Sequence, residues 1–151
     1  MKTTMPKSSA PQWIIVDAHD QSIGRVATTA ASILRGKHRP DFSPHRTHRD
    51  HVIVMNARGL RIHPAKVSQK KYRRHTGYFG HLKEEKLQDL LQKNPGKIIE
   101  RAVWGMLPKN RLRPASFCRL HVFEGSEHPF AAQKPSPMTV SVSRGIKLSL
   151  R

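Results

Sequence analysis

Trp13-Ile14-Ile15-Val16-Asp17-Ala18, followed after a short gap by the segment from Ile23 to Leu34, is the stretch whose reading decides the fold. The first run is rich in β-branched residues and is bounded by Pro11 and by His19-Asp20, which predicts a short buried strand. In the second, Ile23, Val26, Ala27, Ala30, Ile33 and Leu34 recur at helical spacing and share one face. Gln21 or Ser22 is placed to begin that helix, and Gly36 to end it as the residue just past the last turn. His51 to Met55 is a second short β-branched run. A strand, a helix and another strand in succession predict an α/β fold.

Working outward, Leu60-Arg61-Ile62 alternates like a further strand and is stopped by His63-Pro64. Glu84 to Lys93 predicts a helix with Leu87, Leu90 and Leu91 on one side. Its first turn would hold Glu84 and Glu85, where the helix dipole favours acids. Asn94-Pro95 then reads as a cap followed by a proline at the first helical position. The helix it opens presents Ile98, Ile99, Ala102, Val103 and Met106 and is stopped by Pro108. Leu120 to Phe123 reads as a last strand. From Lys134 to Arg151 apolar periodicity is weak, and Val140 and Val142 read as extended rather than packed. The length favours one domain, over 13–135, with an N-terminal extension at 1–12 and a basic C-terminal extension at 136–151. No internal repeat is visible.

Charge narrows the function. Twenty-eight Lys and Arg face ten Asp and Glu, a formal net charge of +18 in 151 residues, with ten His besides. A domain this cationic repels itself, and a polyanionic partner, most commonly nucleic acid, is the economical reason for it. Cys118 is the only cysteine. An intrachain disulfide and a four-cysteine zinc site are therefore excluded, which fits a reducing compartment. Beside a strand, Cys118 reads as a small core residue. No stretch approaches the ~20 apolar residues of a membrane span. The start has no apolar signal region, so a cytoplasmic protein is expected. Its Ser/Thr-rich, acid-free composition is a weak match to an organelle transit peptide, and it lacks Arg.

Three segments concentrate the cations. The first runs from Arg35 through Lys37, His38 and Arg39 to His45, Arg46 and Arg49, partly on a loop where side chains can spread among several phosphates. His45, His48 and His51 recur every three residues, but Pro44 and the approach to a strand disfavour a shared metal-ligating face. The second and densest carries Lys66, Lys70, Lys71, Arg73 and Arg74 with no acid, interleaved with Tyr72, His75, Tyr78 and Phe79. Aromatic faces and arginine planes stack on unpaired bases, while Lys and Arg neutralise phosphates. Phe79 reads equally as a buried anchor, since large apolar rings usually are buried. The third, Gly105 to Pro114, reads as a basic turn; Lys109, Arg111 and Arg113 alternate in it, so an extended segment would present them on one side.

Catalytic signatures are missing. There is no phosphate-binding loop, dinucleotide fingerprint, nucleophile elbow or zinc-protease motif, and ten acids leave few paired carboxylates for acid–base work. An enzyme holding a nucleotide at the His19–Arg25 turn would rest on one glycine, Gly24. A free-standing nucleic-acid-binding module shares the charge but carries no recognisable reading motif here.

In order, the pieces Trp13–Asp17, Ile23-Gly24-Arg25-Val26-Ala27-Thr28, Leu34-Arg35-Gly36-Lys37-His38-Arg39, Phe42-Ser43-Pro44-His45 and Val52–Ala57 form a series. It continues with Lys71-Tyr72, His75-Thr76-Gly77-Tyr78, Gly105-Met106-Leu107-Pro108-Lys109, Leu120-His121-Val122-Phe123 and Ala131-Ala132-Gln133-Lys134-Pro135. Over roughly residues 13 to 135 this series resembles the bacterial type of the universal thirteenth-protein family of the large ribosomal subunit. The resemblance implies a three-layer α/β domain around a four-stranded, mostly parallel sheet. It implies a structural constituent of the large subunit that binds large-subunit ribosomal RNA, touches neighbouring subunit proteins and acts early in subunit assembly. No enzymatic activity, cofactor, metal, membrane or small-molecule substrate is implied. The family's RNA-facing motifs fall on 35–49, 66–81 and 105–113, and Arg25 and Lys134 within the matching pieces complete the candidate set. The chain departs from the family pattern at His63-Pro64-Ala65, at His81 and at Leu112-Arg113-Pro114.

Overall fold

The two β-branched runs lie side by side as the centre of a parallel sheet, with Ile14 opposite Val52 and Val16 opposite Val54. The structure is a computed structural model in which residues 10–140 are described. The chain runs β1 (Trp13–Asp17), α1 (Ile23–Leu34), β2 (His51–Met55), α2 (Pro64–Gln69), β3 (Lys71–His75), β4 (Leu82–Lys86), α3 (Leu87–Lys93), α4 (Gly96–Met106), α5 (Arg113–Phe117), β5 (Leu120–Val122) and β6 (Ser136–Met138). The main sheet has the order β5-β2-β1-β6, and every pairing in it is parallel. β3 and β4 form a separate antiparallel hairpin.

Side-chain alternation assigns the two faces of the sheet. Ile14, Val16, Val52 and Val54 bury against Val26, Ala27, Ala30, Ile33 and Leu34 of α1 and Ile99 and Val103 of α4. Fully burying one Ile or Leu here contributes about 1.5–3 kcal/mol, so this face dominates stability. On the opposite face Trp13 stacks on His51 with centroids 4.1 Å apart. Phe130, from the segment after β5, closes on Trp13 at 4.9 Å and on His121 at 4.7 Å. The result is the expected three layers, with helices on one side and an aromatic cover on the other.

Gly36 ends α1 as expected. Its φ is +79°, and the Gly36 and Lys37 N–H groups donate back to the Ile33 and Ser32 carbonyls at 2.7 and 3.0 Å, the paired bonds of a Schellman close. A Cβ at Gly36 would fall 2.1 Å from the His48 ring. At the other boundary read from sequence, Asn94 Oδ1 accepts from the Lys97 N–H at 3.1 Å and holds the start of α4.

Three expectations are corrected. Residues 60–62 form no strand: Arg61 makes one parallel bridge to Ser22, and Pro64 starts α2 directly afterwards. The helix expected from Glu84 begins at Leu87. Residues 82–86 pair with β3 instead, because Glu84 and Glu85 find cations across the hairpin and on α4. The 109–113 segment is a turn, as expected, and it leads directly into α5. The tail is not loose at its start: β6 completes the sheet beside β1, and Met138 and Val140 are buried in the main core. Met1–Ser9 and the tail from residue 141, including Val142, lie outside the described residues.

Candidate nucleic-acid interface

Ten acids distribute the twenty-eight cations, and their placement decides which basic side chains stay available. Asp50, 1% exposed, sits just before β2 at the centre of a buried cluster. Arg39 grips it with two bonds, Nε to Oδ2 at 2.7 Å and Nη2 to Oδ1 at 2.5 Å. Arg39 also donates to the Ala10 carbonyl at 2.8 Å, and the Gln12 N–H donates to Asp50 Oδ1 at 2.9 Å. His38 Nε2 approaches to 3.3 Å, and the His38 and Arg39 side chains are 4% and 7% exposed. Burial by itself would raise the Asp50 pKa; the bonds from His38, Arg39 and Gln12 overcome it and hold the carboxyl at about 2. His38 and Arg39, expected at the RNA face, instead clamp the 35–50 loop to the start of the chain. Asp50 draws them in, since a buried charge persists only when paired.

The rest of this segment faces outward. Lys37, His45, Arg46 and Arg49 are exposed and Arg35 is half-buried. His45, Arg46 and Arg49 line a groove of about 630 Å³ beside Ala10 and Pro11. Arg35, Phe42 and Arg46 share a smaller crevice of about 150 Å³ with Pro108, Asn110 and Leu112, so two of the three basic segments meet. In the third segment Lys109 and Arg111 are exposed. Arg113 is not free: its guanidinium lies 4.1 Å from the Trp104 ring centroid and donates to the Trp104 carbonyl.

The histidines spaced by three diverge. His45 is exposed, while His48 is buried beneath Gly36. His51 turns to the aromatic face, its Nδ1 3.3 Å from His121 Nε2. Burial lowers both pKa values, and for His51 the neighbouring His121 and Arg119 lower it further; both rings pack in the aromatic stack. Among the described residues no three His, Cys, Asp or Glu side chains gather as metal ligands. Cys118 is exposed rather than in the core.

At the opposite end of α1, ten residues or ~15 Å along the helix axis, lies a second basic site. Arg25, Arg61, His63 and Lys66 line a cleft of about 640 Å³ with Asp20, Ser22 and Gly24. Arg61 and His63 were not among the sequence candidates. The alternation of Arg61 between half-buried Leu60 and Ile62 is the signal that turns it outward. Lys66 leads through α2 to exposed Lys70 and the hairpin.

The hairpin divides its cations. At its base Glu84 accepts from Lys71 at 3.2 Å and Arg73 at 2.7 Å, and hydrogen bonds from both hold its carboxyl below the usual range. Glu85 accepts from Arg101 of α4 at 2.8 Å. Tyr72 is half-buried against Leu87, Leu90 and Ile98, with the Arg101 guanidinium 5.0 Å from its ring centroid. It anchors the hairpin to the body and is no free stacking platform. Farther out Arg74, His75 and Tyr78 are exposed, and Phe79 is fully exposed, against the buried alternative. Lys134, exposed, sits with φ +46° just before β6.

The match to the family model described as ribosomal protein L13 covers residues 11–129. The chain is 44% identical over 136 residues to the large ribosomal subunit protein uL13 of Nitratidesulfovibrio vulgaris, covering 90% of this chain and 94% of that one. It is 50% identical over 137 residues to the protein of the same name from Syntrophomonas wolfei, covering 89% and 95%. The Thermus thermophilus counterpart is 44% identical over 140 residues, covering 93% of this chain and all of that one.

Proposed function

The chain belongs to the ribosomal protein L13 family, and from that premise we propose that it binds large-subunit ribosomal RNA directly and joins the particle early in its assembly. It is a ribosomal protein of the large subunit, a structural constituent and not an enzyme. One observation carries the RNA reading: basic sites flank α1 at both ends, and their side chains Arg25, Arg61 and Lys66 at one end and Lys37 and Arg49 at the other are exposed. The sheet and α1 fix the spacing between those sites. A rigid spacer with cations at both ends holds two phosphate strands that would otherwise repel each other, and such contacts read backbone position and RNA shape rather than base sequence.

Early entry follows from the same design. A fold built on its own apolar sheet core needs no partner protein to present these side chains, so bare RNA suffices as the first ligand. Neighbouring subunit proteins would then meet the surfaces left uncovered. The test is binding of the purified chain to deproteinised large-subunit ribosomal RNA across a salt series. Each phosphate neutralised releases counterions, so log affinity should fall linearly with log salt, by about 0.7–0.9 per contact. A flat line, or binding only after other subunit proteins are added, overturns the proposal.

A further inference from the structure

We propose that His51 and His121 form an acid-sensitive latch on the sheet face away from the helices: the two rings share one proton between them, and protonation of both facing nitrogens forces them apart and lifts the Phe130 cover. The latch works without RNA.

His51 lies on β2 and His121 on the neighbouring β5. His51 Nδ1 is 3.3 Å from His121 Nε2. The ring planes agree within 9° and the centroids are 5.6 Å apart. That separation is close to the greatest that two imidazoles can have with nitrogens at 3.3 Å, so the facing nitrogens lie on the line joining the rings. The contact is therefore edge to edge in one plane, the alignment of an N–H···N hydrogen bond. A metal ion held between collinear nitrogens would need about 4 Å from one to the other, so the gap suits a proton.

A neutral imidazole carries one N–H and one bare nitrogen. One ring therefore donates to the other, and the acceptor keeps its own N–H on its outer side. Both rings then adopt the same tautomer: Nδ1–H in both when His51 donates, Nε2–H in both when His121 donates. A first added proton lands on the bare outer nitrogen of the donor ring and leaves the shared bond in place. A second finds only the facing nitrogen of the acceptor. Two N–H groups would then meet head on between two positive rings, so the pair must separate, and the two histidines titrate as a unit.

The surroundings resist that second proton. Burial, then His121 and Arg119, lower the His51 pKa, and Asp50 raises it; burial lowers that of His121. Arg119, two residues before His121 on the same face of β5, keeps its charge. Asp50 is held by Arg39 and stays ionised to about pH 2. Asp17, at the far end of β1, is bound to the His19 N–H and to Asn56. The cover segment brings exposed Glu127 and Lys134, and His128, whose Nδ1 accepts from the Phe130 N–H at 3.2 Å. Among the described residues no carboxylate bonds either ring of the pair.

Trp13 stacks on His51, and Phe130 closes on both Trp13 and His121. Parting the imidazoles removes the ledge beneath Phe130, whose segment leads into the edge strand β6. On the helix side the sheet presents Ile14, Val16, Val52 and Val54, which no pH change can charge. Folded pKa values below the ordinary 6.5 mean that the native state holds these protons less tightly than the unfolded chain does. The latch therefore contributes fully above about pH 6.5 and weakens as pH falls, before Asp50 is protonated.

The experiment follows the isotope-labelled full-length chain by NMR as the pH is lowered through the histidine range. Imidazole nitrogen shifts report tautomer and charge. The indole N–H signal of Trp13, told from that of Trp104 by Trp104→Phe, reports the cover. At neutral pH both rings should show the same tautomer. The first proton should leave the Trp13 signal in place. The second should shift it and reduce the near-ultraviolet dichroism while helical dichroism is retained. His121→Phe keeps a ring against Phe130 and carries no proton, so acid should no longer shift the Trp13 signal; His128→Gln should behave like the parent. Opposite tautomers at neutral pH overturn the latch without any variant. So does a Trp13 signal that stays put when both rings are charged, a step that survives His121→Phe or disappears with His128→Gln, or loss of helix in the same step.

Discussion

The 35–50 loop and the β3–β4 hairpin are equally rich in cations, yet the fold uses them differently. In the loop one buried acid, Asp50, takes Arg39 and His38 out of solvent. In the hairpin two exposed acids, Glu84 and Glu85, engage Lys71, Arg73 and Arg101 at the base and leave the tip uncompensated. The difference lies in dielectric. A buried pair is hard to break, because removing one partner strands the other in a medium that solvates it poorly. An exposed pair is nearly isoenergetic with two hydrated ions. In a chain of net charge +18, the few acids therefore sort cations into structural and available ones.

Asp50→Ala is the sharpest way to break that comparison. It should cost about 3–5 kcal/mol in denaturant unfolding, because Arg39 would remain buried without its carboxylate. The pH dependence should agree. The folded pKa of about 2 lies below the ordinary 3.8, so the native state holds the proton less tightly than the unfolded chain does. The Asp50 contribution is then complete above roughly pH 5 and declines as pH falls through 3.8 toward 2. Parent and variant stabilities should converge over that window; a gap that persists below pH 2 would count against the assigned role.

Gly36→Ala tests the same loop through backbone and packing. A β-carbon in the left-handed region, aimed at His48, should cost about 2 kcal/mol or more, read as a lower unfolding midpoint. An unchanged midpoint would show that the loop yields freely. In the hairpin, Arg74→Ala with Lys83→Ala should leave folding intact and reduce the slope of log RNA affinity against log salt by about one per residue removed. The smallest effect is expected from Glu84→Gln. Its carboxylate is solvent-exposed, so thermal stability should not move measurably, while release of Lys71 and Arg73 should steepen the salt dependence of RNA binding. A clear drop in melting temperature would mean that the hairpin base behaves like the buried loop.

Much of this was legible in the sequence. Apolar period and glycine placement located β1, α1, β2 and α4, because burial on one face leaves a regular mark. The hairpin was misread where Glu84 and Glu85 precede Leu87, since acids before an apolar helical pattern signal a helix start. The partners of Glu84 lie earlier in the chain at Lys71 and Arg73 and that of Glu85 later at Arg101, and single-segment reasoning has no access to those pairings. β6 was missed for a related reason. Three residues containing a proline carry little strand signal, and the strand exists because the β1 edge is there to receive it. Among candidate site residues, clustering picked out segments but not the direction of each side chain. Arg39 and Arg49 look alike in sequence, and one is buried while the other is exposed.

By itself the amino-acid sequence determined the α/β class, the close of α1, the start of α4 and the surplus of positive charge, because these follow from local periodicity, backbone preference and simple counting. Tertiary structure alone decided which cations face outward, which acids quench them, and that two sites at opposite ends of α1 are held at a set distance. Those outcomes depend on pairs of residues far apart in the chain meeting at a dielectric that only the folded core creates.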